Sequence, residues 1–300
     1  MKIFITGVCG LLGSAARSVL EDAGVDVCGC DLRSDIAAEK FDFRDIEKTR
    51  AALKGCDGVL HLAAVSRVVW GETHPELCRA VNVRGAKLFM REVTQTVPGA
   101  WFVFASSREI YGAPPKLPCT ADTPPSPENL YARTKLAGEK MVRKLRDSGM
   151  RTAVLRFSNV FGSVDDHADR VVPAFAAAAA QNRTLTVYGG DSLLDFTPLA
   201  DAADAILRAV NVMNNSNGSL PPIDVVTGRA TSLLNMAKMA VQFGNGVITC
   251  EPPRAFYPAR FQGDPLPAKD MLGWEPRVNL ESAVRDLVEQ YKLSKQNARS

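Results

Sequence analysis

The chain has 300 residues, 46% of them hydrophobic and 23% charged, the balance of an ordinary soluble globular protein. That length allows one large domain, or a nucleotide-binding core carrying a smaller lobe. The formal net charge is only +3 and the Lys and Arg residues are spread along the chain, which argues against a nucleic-acid partner. No apolar run is as long as a membrane span, and Met1-Lys2-Ile3-Phe4-Ile5 runs into a strand without a signal-peptide pattern, so no membrane role and a cytoplasmic location are expected.

Up to about Arg156, β-rich runs alternate with helical stretches. The expected strands are Lys2–Ile5, Val25–Cys30, Gly58–Leu62, Trp101–Ala105 and Thr152–Arg156. Each is almost continuously apolar, as parallel strands covered on both faces require. The expected helices between them are Leu11–Ala23, Ile46–Leu53, Pro75–Thr96 and Tyr131–Arg146. This alternation predicts an α/β protein with a Rossmann-like, doubly wound parallel sheet.

After Phe157 the rhythm changes. Helices are expected at Pro173–Gln181, Asp201–Val212, Ser232–Phe243 and Leu280–Tyr291. Short strands are expected at Leu185–Val187, Pro222–Val226 and Gly246–Cys250, with a loop over Asn214–Pro222 and a frayed tail over Ser294–Ser300. The division predicted is a dinucleotide-binding core over residues 1–157, with chain returns from the second half, and a smaller C-terminal α/β lobe over 158–300 that mainly binds substrate.

Gly7, Gly10 and Gly13 follow the first strand and open the first helix. In that context the first glycine makes a tight turn, the second lets the backbone approach a pyrophosphate, and the third lets the helix pack on the sheet. The helix N-terminus then offers free N–H groups and the positive end of its dipole to the phosphates. Asp31 ends the second strand, where a carboxylate hydrogen-bonds the adenosine ribose and repels a 2′-phosphate, so NAD is favoured over NADP. Arg33 nearby keeps the phosphorylated cofactor open. Asp42 is either an adenine-side contact or an exposed loop acid.

Tyr131 and Lys135 are four apart on a helix and share a face. A free phenol, with a pKa of about 10, is a poor base at neutral pH. A nearby ammonium and a positive nicotinamide would both favour the phenolate. Such a phenol can take a proton from a hydroxyl while hydride leaves the same carbon. Ser107 closes the fourth strand at the crevice end of the sheet, where its hydroxyl can hold a substrate oxygen beside Tyr131. Ser106 can equally be a strand-end hydrogen bonder. Glu109 is either a second acid–base group or a solvated loop acid.

The seven cysteines have no CxxC spacing and read as reduced thiols, and His61, His74 and His167 lack ligand spacing, so no metal site is expected.

The chain resembles the extended short-chain dehydrogenase/reductase family in its branch of nucleotide-sugar epimerases and dehydratases. The resemblance is carried by Thr6-Gly7-x-x-Gly10-x-x-Gly13, His61-Leu62-Ala63-Ala64, Asn82-Val83-x-Gly85, Ser107-x-x-x-Tyr111-Gly112 and Tyr131-x-x-x-Lys135. It continues through Arg156-Phe157-x-Asn159-Val160-Phe161-Gly162, Leu185-Thr186-Val187-Tyr188-Gly189, Asp195-Phe196 with Asp201, and Leu272-Gly273-Trp274. It implies a tightly held NAD contacted by Gly7, Gly10, Leu11, Leu12, Gly13, Asp31 and Leu32. Asp42, Phe43, Leu62, Ala63, Ala64, Asn82, Tyr131 and Lys135 complete that site. It implies Ser107, Tyr131 and Lys135 as the reacting set, with Glu109 as a further acid–base candidate. Ser107, Arg108, Asn159, Val171 and Arg260 would border a nucleotide diphosphate sugar.

The leading expectation is a 4-epimerase: transient oxidation at C4 of the sugar, then hydride return to its other face. The alternatives are a dehydratase or decarboxylase using Glu109 after the same oxidation, a simple sugar dehydrogenase or reductase, and a non-enzymatic dinucleotide-binding regulator. Three positions depart from the family pattern. Leu194 stands where a phosphate-contacting arginine is usual, with Arg260 as possible compensation. Ser66 replaces a lysine found in several epimerases. Arg108-Glu109 replaces the Asp-Glu pair of 4,6-dehydratases. The family also implies a homodimer through the helices of Pro75–Thr96 and Tyr131–Arg146.

Overall fold

Five of the apolar runs, joined by one strand from the second half of the chain, pair into a single parallel sheet. The structure, a computed structural model, describes residues 1–120, 122–253 and 260–297. Its first half runs β1 (Lys2–Thr6), α1 (Leu11–Asp22), β2 (Asp26–Cys30), α2 (Ile46–Leu53), β3 (Gly58–His61), α3 (Val68–Thr73), α4 (Pro75–Arg79), α5 (Ala86–Thr96), β4 (Trp101–Ser107), α6 (Leu130–Asp147) and β5 (Thr152–Phe157). The second half adds α7 (Val171–Ala180), β6 (Leu185–Tyr188), β7 (Leu193–Asp195), α8 (Leu199–Asn215), β8 (Pro222–Val225), β9 (Ala230–Ser232), α9 (Leu233–Phe243), β10 (Ile248–Glu251), α10 (Leu266–Leu272) and α11 (Leu280–Asn297).

The sheet order is β2-β1-β3-β4-β5-β8, so the winding reverses beside β1. Alternate side chains of β1 serve opposite layers. Ile3 and Ile5 pack with Ala16 and Leu20 of α1 and with Ile206 and Val210 of α8. Phe4 packs with Leu53, Phe89, Val93 and Val142 on the other face. Each fully buried Ile, Leu or Phe contributes about 1.5–3 kcal/mol, so a strand apolar on both sides is stable only in this covered position. His61 sits in the second layer, 4.9 Å from the Phe89 ring, with its Nδ1 2.7 Å from Thr6 Oγ1. Burial there, reinforced by Lys135, pushes the imidazole down to about 3, so it is neutral.

The C-terminal elements build a second core. Phe175 and Ala176 of α7, Met236 and Ala237 of α9, and Leu287 and Val288 of α11 are buried together. The alanine run of α7 is thus a close-packing surface, since Ala176 to Ala179 are all buried. Beside it lie a parallel pair, β6 with β10, and an antiparallel pair, β7 with β9.

The structure differs from the sequence expectation in specific places. The helix expected over Pro75–Thr96 is interrupted by a π-helical turn at Ala80–Gly85. The widened turn lets Asn82 point inward, where its amide is fully hydrogen-bonded, and π-turns of this kind have no compositional signature. The helices α3 and α10 and the strands β7 and β9 are too short for periodicity to reveal. The loop expected from Asn214 begins two residues later, because α8 continues to Asn215. The tail expected to fray from Ser294 is helical to Asn297, and 298–300 lie outside the described residues. All seven cysteines are free thiols. Among the described residues no helix is long and apolar enough to cross a membrane, and no cluster of His, Cys, Asp and Glu could hold a metal ion.

Candidate active site

The loop from β1 to α1 is shaped by its glycines. Gly7 has φ of +73°, and a Cβ there would lie 2.9 Å from the backbone of Ala63, just beyond β3. A Cβ on Gly13 would lie 2.0 Å from the carbonyl oxygen of Gly7, so only glycine permits this loop to close on its helix. Gly10 is the N-cap of α1, with no side-chain oxygen capping it and no acidic residue in the first turn. The first N–H groups and the positive dipole end of α1 are therefore left for an external anion.

At the end of β2, Asp31 accepts hydrogen bonds from the backbone N–H of Cys9 (3.2 Å) and of Arg33 (2.9 Å). The Arg33 guanidinium donates to Cys9 O at 2.7 Å. Asp42 is not a free loop acid: Arg44 grips it at 2.5 Å, and that hydrogen bond holds its carboxyl below the ordinary range.

The other end of the crevice is built by β4 and α6. Asn129 caps α6 by accepting from Ala132 N at 2.8 Å, which starts the helix so that Tyr131 and Lys135 face β4. Ser107 lies beside the Tyr131 phenol and favours its ionised form. Lys135 donates to Ala105 O at 2.7 Å, with its Nζ 5.1 Å from the Phe104 ring centre and 5.8 Å from that of Tyr131. Burial pushes the Tyr131 phenol up to about 12, against the pull of Ser107, with Glu109 raising it further. Burial also pushes Lys135 down to about 8, opposed by Cys78 and Glu139. In the chain alone, the ammonium therefore does not offset the burial of the phenol. A second cation brought to the site is what would make Tyr131 a base.

Glu109 overturns the solvated-acid alternative. It is buried, with Oε1 2.7 Å from Arg108 Nη2 and Oε2 accepting from Asn129 Nδ2 at 3.0 Å. Arg108 also donates to Asn159 Oδ1 at 3.3 Å. Asn159 adopts φ of +36°, a strained value for a residue with a Cβ, and its amide donates to Asp195 O at 2.8 Å.

One cavity of about 740 Å³ joins the two ends. Gly7, Gly10, Leu11, Leu12, Gly13, Asp31, Leu32, Asp42, Phe43, Leu62, Ala63 and Ala64 line it on one side. Ser107, Arg108, Glu109, Tyr131, Lys135, Asn159 and Val171 line it further on. Two predicted site residues are absent from its wall. Asn82 instead fastens the segment after β3 to α6, bonding Val65 N (2.8 Å), Val65 O (3.0 Å) and Thr134 Oγ1 (3.0 Å). Arg260 is exposed, and its backbone bridges to Leu193.

With its bare helix N-terminus, its carboxylate at the end of β2 and its volume of about 740 Å³, the cavity fits a dinucleotide. The family model described as "NAD dependent epimerase/dehydratase family" matches residues 3–220. The chain belongs to that family. It is 29% identical over 320 residues to a UDP-glucose 4-epimerase of Mycolicibacterium smegmatis, covering 99% of this chain and 100% of the relative. The crystal structure of a UDP-glucose 4-epimerase with UDP-glucose, from Thermotoga maritima, superposes with a TM-score of 0.90 at 25% identity, covering 98% of this chain and all of the other. MoeE5 in complex with UDP-glucose and NAD superposes at 0.89 over the full length of both chains, at 24% identity.

Family motifs did not reveal everything that lines the cavity. Arg67, after β3, forms a two-pronged ion pair with Asp169, 102 residues away, one arm of it 2.7 Å long. Beside it the Trp70 and His167 rings meet edge-on at 4.7 Å. All four residues line the cavity, so they tie the segment after β3 to the loop before α7. Leu194, the departure from the family arginine, lines the cavity as a buried apolar side chain.

Proposed function

We propose that this member of the NAD-dependent epimerase/dehydratase family is a nucleotide-sugar 4-epimerase that acts on a UDP-hexose. The observation that carries the reading is the buried Tyr131 phenol set with Ser107 and Lys135 in the same cavity as an uncapped glycine-loop helix. When bound, NAD supplies an oxidant that takes hydride from a carbinol carbon and restores it to the opposite face.

The chain's own residues account for the rest. The N–H groups at the start of α1 would hold the pyrophosphate, Gly7 and Gly13 keep that face open, and Asp31 would receive the ribose hydroxyls. Ser107 would hold the O4 hydroxyl and Tyr131 would accept its proton, a bound positive nicotinamide being a charge that would favour the phenolate. On reversal Tyr131 gives the proton back. Residues 158–300, with Asn159 and Val171 on the wall, form the sugar-nucleotide side and leave room for the keto sugar to turn over. The exposed Leu88 on α5 supports a homodimer formed through the helices of Pro75–Thr96 and Tyr131–Arg146.

The geometry of Glu109 favours epimerisation over elimination. Both its oxygens are engaged, by Arg108 and by Asn129, and the acidic partner a dehydratase needs beside it is the cationic Arg108. The test is product analysis after incubation with a panel of UDP- and dTDP-sugars. Mass spectrometry is expected to show a product of unchanged mass, with NMR placing the inversion at C4. Loss of water or carbon dioxide, or stoichiometric release of NADH, would replace this reading with one of its alternatives.

A further inference from the structure

Helix α6 carries another ionisable side chain on the face that presents Tyr131 and Lys135. Glu139 lies one turn beyond Lys135, and the two side chains reach adjacent residues of β4. Lys135 Nζ donates to Ala105 O at 2.7 Å, while Ser106 Oγ donates to Glu139 Oε1 at 2.5 Å. Arg156, on β5, forks the same carboxylate through Nε (2.9 Å) and Nη2 (2.7 Å). The Arg156 guanidinium also donates to Tyr111 OH at 2.7 Å, and Tyr111 donates to Asp224 at 2.8 Å. The Glu139 carboxylate is therefore pinned rather than free to swing.

We propose that Glu139 is a positioning residue for the reacting set: its carboxylate, fixed by Ser106 and Arg156, keeps the neighbouring Lys135 ammonium charged. A purely structural reading, an ion pair stapling α6 to β5, accounts for the Arg156 contacts but not for placement one turn from Lys135. The groups facing Lys135 from each packed element support the distinction. From β3, His61 is neutral, because burial and Lys135 itself push it down to about 3. From α4, burial pushes the Cys78 thiol up, so it is uncharged at neutral pH. From α6, Tyr131 is also pushed up, and β4 offers only the Phe104 ring and a carbonyl. Glu139 is thus the carboxylate, among the described residues, that acts on Lys135. Arg156 offsets part of its charge, which keeps the effect moderate. Burial leaves Lys135 at about 8, so a modest change in its surroundings alters its charge within the neutral range.

The inference rests on the reading of Lys135 as part of the reacting set, but its test does not depend on turnover. Protein labelled with [13Cε]lysine would be titrated by NMR, with the Lys135 signal assigned from Lys135→Met. Glu139→Gln is expected to move the Lys135 midpoint to lower pH by about half a unit or more, because a neighbouring anion has been removed. The alkaline fall in kcat should move with it. Glu139→Asp keeps the charge but draws it back by one methylene. It should give a smaller shift of the same sign, and it serves as the test if the Gln variant does not fold. An unmoved midpoint, or a shift to higher pH, overturns the proposal. A shifted midpoint in a protein inactive on every sugar nucleotide would overturn the functional reading and leave the role of Glu139 toward Lys135 standing.

Discussion

Replacing Tyr131 with Phe is expected to lower kcat by roughly 10²–10⁴-fold, the usual contribution of a positioned acid–base group. NAD binding, measured by calorimetric titration, should stay close to that of the wild type. The expectation follows from what the ring does apart from its hydroxyl. Tyr131 is buried beside Lys135 at the start of α6, and Phe fills the same volume, so the helix and its Asn129 cap are retained. What disappears is the phenol oxygen beside Ser107, the atom that would receive the sugar proton. The Ser107 hydroxyl is not left stranded, because it still accepts from Glu109 N at 3.2 Å. Wild-type turnover in this variant would mean that another group accepts the proton.

Gly13→Ala acts at the other end of the cavity and is expected to damage both folding and cofactor binding. The added methyl would sit 2.0 Å from Gly7 O and 2.9 Å from the carbonyl carbons of Gly7 and Val8, all of them backbone atoms. A flexible side chain could give way there, but a loop held by hydrogen bonds from Gly7 N to Cys30 O (2.8 Å) and from Gly10 N to Gly7 O (2.9 Å) cannot. Overpacking of this kind costs roughly 1–3 kcal/mol even in side-chain cores. Moving the loop also withdraws the N–H groups proposed to hold the pyrophosphate, so NAD affinity should fall by about tenfold or more, each tenfold being 1.4 kcal/mol. Thermal melting with and without NAD measures both effects. An unchanged melting temperature and an unchanged NAD-induced shift would show that the glycine is dispensable.

Parts of this arrangement were legible in the sequence because a single physical requirement dictates them. Ile3, Phe4 and Ile5 are all apolar because β1 is covered on both faces, and Gly7 and Gly13 are glycines because neighbouring backbone occupies the place of a Cβ. The Tyr131–Lys135 spacing is a helical repeat, so their shared face could be read without coordinates. Other features depend on side-chain direction. The sequence leaves Glu109 open between an acid–base group and a solvated loop acid, and only the short helical turn after β4, which folds it against Arg108 and Asn129, excludes the second. Asn82 sits in a family motif, but the π-turn aims it at Val65 and away from the cavity. Arg67 and Asp169 carry no local signal because their pairing spans 102 residues. Glu139 reads as one more polar residue on an amphipathic helix until β4 and β5 place Ser106 and Arg156 against it.

The central claim is that Tyr131 and the cofactor act on the same sugar carbon, so that its hydrogen leaves and returns without reaching solvent. Incubation of UDP-glucose deuterated at C4, followed by NMR and mass spectrometry of the product, tests this directly. The account predicts an isomer of unchanged mass, inverted at C4 and still carrying the deuterium there. Loss of the label to water, or inversion at a different carbon with the C4 deuterium undisturbed, would contradict it.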